Sequence, residues 1–488
     1  MFSSKSVNNG IFYIFANIFT NLIPVISIAV FTRLLSPDDY GFYALSLLYG
    51  SFLVSICNFG LQIGYERDFF EKNEEGNTGG LFYTTILFVF TLTVLVGAII
   101  VSFNNFWSKL IFNRGDYGFL FLWAYSYLGC LGIKNYFMIY YKNAENAKAF
   151  LWYSVVEGFL SLPLAYIFIR YLSIGVVGLP LSQFIASLFV LLFLFFRIKK
   201  ELQISFNIPA FKKSFNTSLP ITPKIFFGVI STNLDKILLG KIGAINGLGV
   251  YNLGQKIGYI AFSYTLAIYN IFSPTVYKDM FSLGLEGGKV IGPYLTKFFY
   301  ITIAGILLIA LFSEELIMII TPPAYHNAIE IATIFSMLYG VYFFGTIPQL
   351  IYAKKTVLTS ILGVLYIALN FFIIITLIPK WGTEGAAYGS LISGIIIGIM
   401  GFIIAQKYYK IHWEYSKILI ILSLLFGSSI ALIFLRHLEI NFFIRFGYKL
   451  LIIAVFYFLG KAYRIIPQFT MSMLILFIKN RFSTKQVN

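Results

Sequence analysis

Charged side chains inside long apolar runs are the residues in this sequence that are best suited to chemistry. Asp235 and Lys236 share one such run with Lys224, and Lys256 and Lys297 lie in two later runs. A charge at the centre of a membrane helix costs roughly 2.5–3.5 kcal/mol on insertion scales. A chain that retains such residues therefore uses them, either to bind a charged ligand or to pair with one another.

The polar residues of two successive runs recur at helical spacing, so each set lies on one face of its helix. They are Lys224, Gly228, Ser231 and Asp235 in the first run, and Asn252, Lys256, Tyr259 and Ser263 in the second. At 1.5 Å per residue from the shared turn, Asp235 lies ~7 Å deep and Lys256 ~10 Å deep. The two side chains can therefore meet at one level, as a ligand site or as an ion pair that ties the two helices together.

Glu157 is the second acidic residue of interest, about 12 Å into its own apolar run at the same helical rise. That position is consistent with a protonated side chain, with a proton carrier or with a partner for Lys297. The sequence leaves these three interpretations open.

Composition places the chain in a membrane. Of 488 residues 59% are hydrophobic and 11% are charged, whereas soluble proteins carry about 25% charged residues. The net charge of +16 does not indicate nucleic-acid binding, because the Lys and Arg residues lie in short loops between apolar runs rather than on one soluble face. Two cysteines in apolar runs and three scattered histidines predict neither a disulfide framework nor a metal site.

Apolar runs of about 20 residues predict an all-α protein with 14 transmembrane helices. The runs lie near 10–32, 40–64, 80–103, 117–140, 149–171, 174–196, 220–240, 249–273, 290–312, 328–352, 356–378, 383–405, 416–435 and 448–466. The first run is too long for the core of a signal peptide and lacks a cleavage pattern, so we expect it to be retained. Glu66 to Glu75 is predicted to be a mixed-charge cytoplasmic loop, and 197–219 a basic cytoplasmic linker.

The distribution of positive charge predicts the orientation. With the N-terminus in the cytoplasm, and with cations near several span ends counted with the adjoining segment, the inner side holds 22 Lys and Arg residues, the outer side 9 and the spans 5. This excess follows the positive-inside rule in every loop except the one at 436–449. Both termini are therefore predicted to be cytoplasmic.

The two halves of the chain repeat each other. Arg33-Leu-Leu-Ser-Pro-Asp-Asp-Tyr-Gly41-Phe-Tyr43-Ala-Leu45 follows span one, and Lys236-Ile-Leu-Leu with Gly249-Val-Tyr251-Asn-Leu253 follows span seven. Small residues also open spans six and twelve, at Gly175 and Gly382. Matching pieces lie six spans apart, so the repeats have the same orientation and a site is expected between them. The predicted domains are 1–214, 215–410 and a third part at 411–488 with two additional helices.

These motifs resemble the Wzx-type polysaccharide-repeat flippases of the multidrug/oligosaccharidyl-lipid/polysaccharide exporter superfamily. The resemblance rests on the motif that begins at Arg33, Asn58-Phe-Gly-Leu61, Asp235-Lys236, Gly249-Val-Tyr251 and Gly382-x-x-Gly385. It covers roughly residues 8–405. It implies two six-helix bundles that form a V around a polar cavity in the bacterial inner membrane.

The resemblance also implies a substrate and roles for the charged residues. The substrate class is an undecaprenyl-diphosphate-linked oligosaccharide that is turned from the inner to the outer leaflet. Lys256, Lys297, Lys236, Lys224, Arg33 and Asn252 would bind it, and Asp235 and Glu157 would serve coupling or ion pairing. No cofactor or nucleic acid is expected; the partners are membrane lipid, a polysaccharide polymerase and a chain-length regulator.

Three other classes of protein are alternatives. A membrane glycosyltransferase needs an acid in an early outer loop, and Asp38-Asp39 is such a pair, although Ser36-Pro37-Asp38-Asp39 is also typical of a tight turn. A multidrug antiporter of the same superfamily would place an acid in span one, and 10–32 contains none. A peptidoglycan-precursor flippase shares the span count, but its usual arginine cluster is reduced here to Arg33 and Arg67.

Overall fold

A computed structural model of the chain describes residues 23–74, 78–144, 146–242, 245–345 and 348–465. Throughout these ranges the secondary structure is helical and contains no β-strand. Most of the predicted first span, 10–32, lies outside the described residues. Its described end is helical at 23–31, which we label α1.

Sixteen further α-helices follow in the described ranges. They are α2 (Pro37–Asn58), α3 (Leu61–Glu74), α4 (Thr78–Ser102), α5 (Asn104–Phe112), α6 (Gly118–Asn143), α7 (Ala147–Arg170), α8 (Gly178–Glu201), α9 (Ile208–Ser218), α10 (Thr222–Ile242), α11 (Ile245–Leu283), α12 (Gly287–Ile320), α13 (Ala328–Val341), α14 (Pro348–Tyr352), α15 (Thr356–Tyr408), α16 (Tyr415–His437) and α17 (Phe442–Ala462).

Eight helical stretches among the described residues are long and apolar enough to cross a membrane. Two of them, 247–320 and 357–408, each contain two helices, separated by the turn at Gly284–Glu286 and by a break at Gly382. Gly382 has φ 54° and ψ −127°, a conformation that is open to glycine and strained for other residues. The chain is thus a multi-pass helical membrane protein; the count of 14 spans stays a prediction.

The chain divides into two compact units. The first comprises residues 1–253 and 318–326, and the second comprises 254–317 and 327–488. The division follows the packing of the helices and differs in its bounds from the three predicted domains, which stay predictions. Each unit is described by itself below.

In the first unit, the segment at 36–39 begins a helix. Ser36 caps α2: its side chain accepts a hydrogen bond from the backbone of Asp39, and the Asp39 side chain accepts one from the backbone of Ser36. This is a capping box with proline at the start of the helix, so the predicted tight turn at 36–39 is wrong. The short polar side chains that favour turns favour helix starts for the same reason, because they bond to nearby backbone groups.

The predicted span at 40–64 and loop at 66–75 are also corrected. Phe59 has φ 45° and Gly60 has φ 66°, so the helix stops after Asn58 and a new helix continues to Glu74. Leu61, Tyr65 and Phe69 recur four residues apart, and all three are buried in the core of the unit. One apolar stripe therefore keeps this charge-rich segment helical.

The predicted basic linker at 197–219 contains a helix of its own. Asn207 caps α9 by accepting a hydrogen bond from the backbone nitrogen of Ala210, at 2.9 Å. Lys212 and Lys213 are exposed on one side, while Ser214 and Ser218 are buried on the other. The linker is therefore an amphipathic helix packed on the first unit.

Two glycines that the sequence repeat aligns lie against each other in the first unit. A Cβ at Gly249 would overlap the carbonyl oxygen of Pro37 and would lie 3.0 Å from the backbone nitrogen of Gly41. The starts of α2 and α11 can approach this closely because neither glycine has a side chain.

We expect Gly249→Ala to destabilise the protein by about 1–3 kcal/mol, the usual cost of overpacking. Thermal unfolding in detergent, followed by size-exclusion chromatography, measures the effect. Gly228→Ala is the matched control, because no atom lies within 4 Å of a Cβ there, and removing a helical glycine is stabilising by up to about 1 kcal/mol. Equal melting temperatures for Gly249→Ala and Gly228→Ala would contradict this close approach of α2 and α11.

Candidate functional site

Asp235 is buried on the polar face of α10, with 4% of its surface exposed. Tyr251, which is fully buried at the start of α11, donates a hydrogen bond from its hydroxyl to Asp235 Oδ2. The backbone nitrogen of Lys236 donates to Oδ1 at 2.8 Å. A carboxylate in an apolar surrounding needs such donors, so Tyr251 is a residue of this site that the sequence reasoning missed. Its place in the repeated Gly-x-Tyr motif was the signal that could have found it.

The other predicted residues of this face have different surroundings. Lys236 is half-buried in α10 and Asn252 is buried in α11. Lys224 lies in α10, and its side chain lies outside what the structure describes. The helical spacing that was predicted for these residues is therefore present in both helices.

Lys256 and Lys297 belong to the second unit. Lys256 is half-buried in α11, one turn after Asn252, and Lys297 is exposed on α12. The predicted meeting of Lys256 with Asp235 stays a prediction, because the two residues belong to different units.

Arg33 lies after α1, where its guanidinium donates hydrogen bonds to three backbone carbonyls of the same unit, one of them that of Ala29 in the preceding turn. Nη1 lies 3.0 Å from the oxygen of Ile320, and Nη2 lies 3.1 Å from that of Ile319. These carbonyls are at the C-terminal end of α12, where a positive charge complements the helix dipole. Arg33 is nevertheless exposed. Its guanidinium therefore contacts the end of α12 and is also accessible to solvent.

Glu157 forms an ion pair with Lys134, which joins α7 to α6. Both side chains are buried. The sequence suggested Lys297 as a partner for Glu157, whereas the structure shows Lys134. Lys134 is one of the five cations counted within the spans, but its pairing depends on the packing of α6 against α7, which spacing along the chain does not contain.

A larger buried charge cluster joins α12 to α17 in the second unit. Glu314 accepts hydrogen bonds from Arg445 Nη2 and from Lys449 Nζ, both at 2.6 Å. Lys449 also donates to Glu315 at 2.7 Å, and its side chain is fully buried. The prediction that Arg445 and Lys449 lie in an outer loop is wrong, because α17 begins at Phe442. Two of the cations that were counted in the 436–449 loop therefore lie in a helix, where they pair with a buried acid.

Comparison with known proteins identifies both a family and a fold. A family model described as "Polysaccharide biosynthesis protein" matches residues 6–276. Among curated proteins, none matches the sequence.

Solved structures of transporters share the fold. A lipid II flippase, MurJ, in an inward closed conformation has a TM-score of 0.63 at 16% identity, covering 93% of this chain and 99% of that one. A mutant of the Vibrio cholerae MATE transporter VcmN has a TM-score of 0.54 at 15% identity, with coverage of 83% and 98%. A MOP superfamily transporter from Pyrococcus furiosus gives 0.53 at 15% identity, with coverage of 80% and 95%.

We expect Glu157→Gln to lower the melting temperature, because Lys134 keeps a buried charge without its counter-ion. Breaking a buried pair from one side costs about 3–5 kcal/mol. The double variant Glu157→Gln/Lys134→Met should recover most of the loss, as measured by thermal unfolding in detergent. Glu66→Gln, which breaks the exposed pair with Lys142, is the control and should melt like the wild type. If the double variant loses as much stability as the two single variants together, Glu157 and Lys134 are not a coupled pair.

Lys449→Met should destabilise the protein for the same reason, since it removes one of two cations that neutralise buried Glu314. The expected loss is about 3–5 kcal/mol, again measured by thermal unfolding. Lys417→Met is the matched control: its pair with Glu414 at 2.5 Å is partly exposed, and such pairs contribute about 0–1 kcal/mol. If Lys449→Met and Lys417→Met have the same melting temperature, the cluster does not anchor α17.

Proposed function

The chain belongs to the polysaccharide biosynthesis protein family, and from that premise we propose that it is a flippase for lipid-linked oligosaccharides. The proposed substrate is an undecaprenyl-diphosphate-linked repeat unit, which the protein moves across the bacterial cytoplasmic membrane for the synthesis of surface polysaccharide. The fold shared with a lipid II flippase and with MATE transporters supports transport rather than catalysis.

The observation that carries the proposal is a cation that the fold keeps inside an apolar helix. Lys256 is half-buried in α11, one turn from the buried amide of Asn252. An ammonium group is retained at such a position when it has an anion to meet. The diphosphate that links the sugar to its lipid is such an anion.

The proposed mechanism is alternating access. Two like-oriented bundles of six helices, within a total of 14 spans and with both termini cytoplasmic, would rock around a cavity between them. In this proposal Lys236, Lys224, Lys297, Arg33 and Asn252 join Lys256 in binding the head group. The polyprenyl tail stays in the lipid while the head group passes.

Asp235 and Glu157 are the proposed coupling residues. Each carboxylate has one defined partner on a neighbouring helix, Tyr251 for Asp235 and Lys134 for Glu157. Taking up a proton would weaken such a bond and allow the helices to shift, so exchange of partners during the cycle is part of the proposal. The energy would then come from a proton or ion gradient.

A peptidoglycan-precursor flippase is the second candidate function. It is supported by the match to MurJ, which covers 93% of this chain. The two functions differ in the head group that is carried, so complementation separates them. A chain that replaces the host's lipid II flippase carries the peptidoglycan precursor; one that restores only surface polysaccharide carries the oligosaccharide.

We expect Lys256→Ala to abolish export of surface polysaccharide at unchanged expression, because the diphosphate loses its cation. The measurement is cell-surface glycan in a host that depends on this chain, together with the amount of lipid-linked oligosaccharide that accumulates inside. Lys289→Ala is the matched control: this lysine pairs with Glu286 on the surface, at 2.7 Å, and its loss should leave export intact. Unchanged export in Lys256→Ala removes Lys256 from the site.

A further inference from the structure

The second unit contains a cavity of about 680 Å³, whose lining combines carboxylates with aromatic rings. It is lined by Glu330, Trp381, Glu384, Tyr388, Ile392 and His437. The cavity lies where α13 begins, where α15 breaks at Gly382 and where α16 ends. Its volume falls within the range of about 300–1,000 Å³ that is usual for small-molecule sites.

One carboxylate fixes two rings in this cavity. Tyr388 donates from its hydroxyl to Glu330 Oε1 at 2.9 Å, and His437 Nε2 lies 3.0 Å from Glu330 Oε2. The Glu330 side chain is only 13% exposed, while that of His437 is 67% exposed. The buried acid therefore holds Tyr388 and His437 in place and leaves the imidazole accessible.

Trp381 adds an aromatic surface to the same cavity. Its ring lies 6.3 Å from the ring of Tyr388, with 66° between the planes, and it is 57% exposed. An exposed tryptophan at a helix end is common in membrane proteins as an interfacial anchor. Here the ring borders a cavity that it shares with the carboxylates of Glu330 and Glu384. The exposed side chains of Trp381 and His437 open this cavity to the surface of the unit.

The combination of aromatic rings and carboxylates indicates the class of ligand. Two carboxylates disfavour a diphosphate by like-charge repulsion. They are hydrogen-bond acceptors for hydroxyl groups, and His437 adds a ring nitrogen that can donate or accept. An aromatic face binds the apolar C–H face of a sugar ring by burying it from water. A hydroxyl-rich ring with one apolar face satisfies both kinds of group.

A second cavity extends the same surface. It has a volume of about 310 Å³, shares Glu330, Glu384 and His437 with the first, and continues to Arg436 and Glu439. Together the two cavities present the carboxylates of Glu330, Glu384 and Glu439, the guanidinium of Arg436 and the imidazole of His437. This arrangement fits an oligosaccharide better than a single compact ion.

We propose that Trp381, Tyr388, Glu330, Glu384 and His437 form a carbohydrate subsite that binds the glycan of the transported lipid. The identity of the ligand rests on the proposed function. With both termini predicted to be cytoplasmic, the segment at Lys380 is predicted to face outward, so the proposal places this subsite on the exit side of the membrane.

Binding of free glycans to the purified full-length protein tests this subsite without any transport step. An array of immobilised neutral and amino-sugar oligosaccharides is probed with the detergent-solubilised protein, and bound glycans are then titrated by isothermal titration calorimetry. Trp381→Ala should weaken binding at least tenfold, and Glu384→Gln, which keeps the side-chain shape, should also weaken it. Trp152→Ala is the matched control, because Trp152 is 65% exposed in the first unit, and should bind as the wild type does.

Three outcomes overturn the subsite: no glycan bound by the wild type, equal binding by Trp381→Ala and Trp152→Ala, or binding of tetraethylammonium in place of sugars. The last would identify a cation site. Melting temperatures of the variants show whether a loss reflects misfolding, and Glu384→Gln keeps the test valid if Trp381→Ala unfolds. If the wild type exports polysaccharide but binds no glycan, the subsite is excluded and the proposed transport function is not. If the wild type binds glycan and Lys256→Ala still exports normally, the subsite stands and Lys256 is excluded from the diphosphate site.

Discussion

A charge in an apolar helix must find a counter-charge or a hydrogen-bond donor within the protein, and this requirement organises both units of the molecule. Insertion of an uncompensated charge costs roughly 2.5–3.5 kcal/mol, which is a large share of the 5–15 kcal/mol by which proteins are usually stable. Three of the four buried acids among the described residues meet this requirement across helix pairs, whereas Asp68 pairs with its chain neighbour Arg67. Asp235 bonds to Tyr251, Glu157 to Lys134, and Glu314 to Arg445 and Lys449.

These pairs define which helices act together. Glu157 and Lys134 link α7 to α6, and Glu314 links α12 to α17 through two cations. Helices in a membrane have little hydrophobic reason to associate, since lipid tails are as apolar as leucine. Specific polar contacts and close approaches at glycine, such as that of Gly249 to Gly41, therefore carry much of the specificity of packing.

The charges that remain partly accessible are the ones that we connect with transport. Lys256 and Lys236 are half-buried and Lys297 is exposed, although all three lie in helices that are predominantly apolar. The second unit also contains an acidic and aromatic surface around Trp381 and Glu330. The lysines suit a diphosphate, and the carboxylates with their aromatic rings suit a glycan. A lipid-linked oligosaccharide contains both a diphosphate and a glycan.

The sequence by itself determined the membrane class, the family resemblance, most helix positions and the helical location of charges such as Asp235, Lys256 and Glu157. These properties depend on composition and on periodicity along the chain, which are local. It mistook the capping box at Ser36 and the helix through Glu74, because the same polar residues favour turns and helix starts and because the stripe at Leu61, Tyr65 and Phe69 is short. Only the tertiary structure decided that Glu157 pairs with Lys134, that Tyr251 serves Asp235, and that Arg445 and Lys449 are buried against Glu314. Such partners are far apart in the chain, and their meeting depends on how helices pack and rotate, which spacing within one helix does not specify.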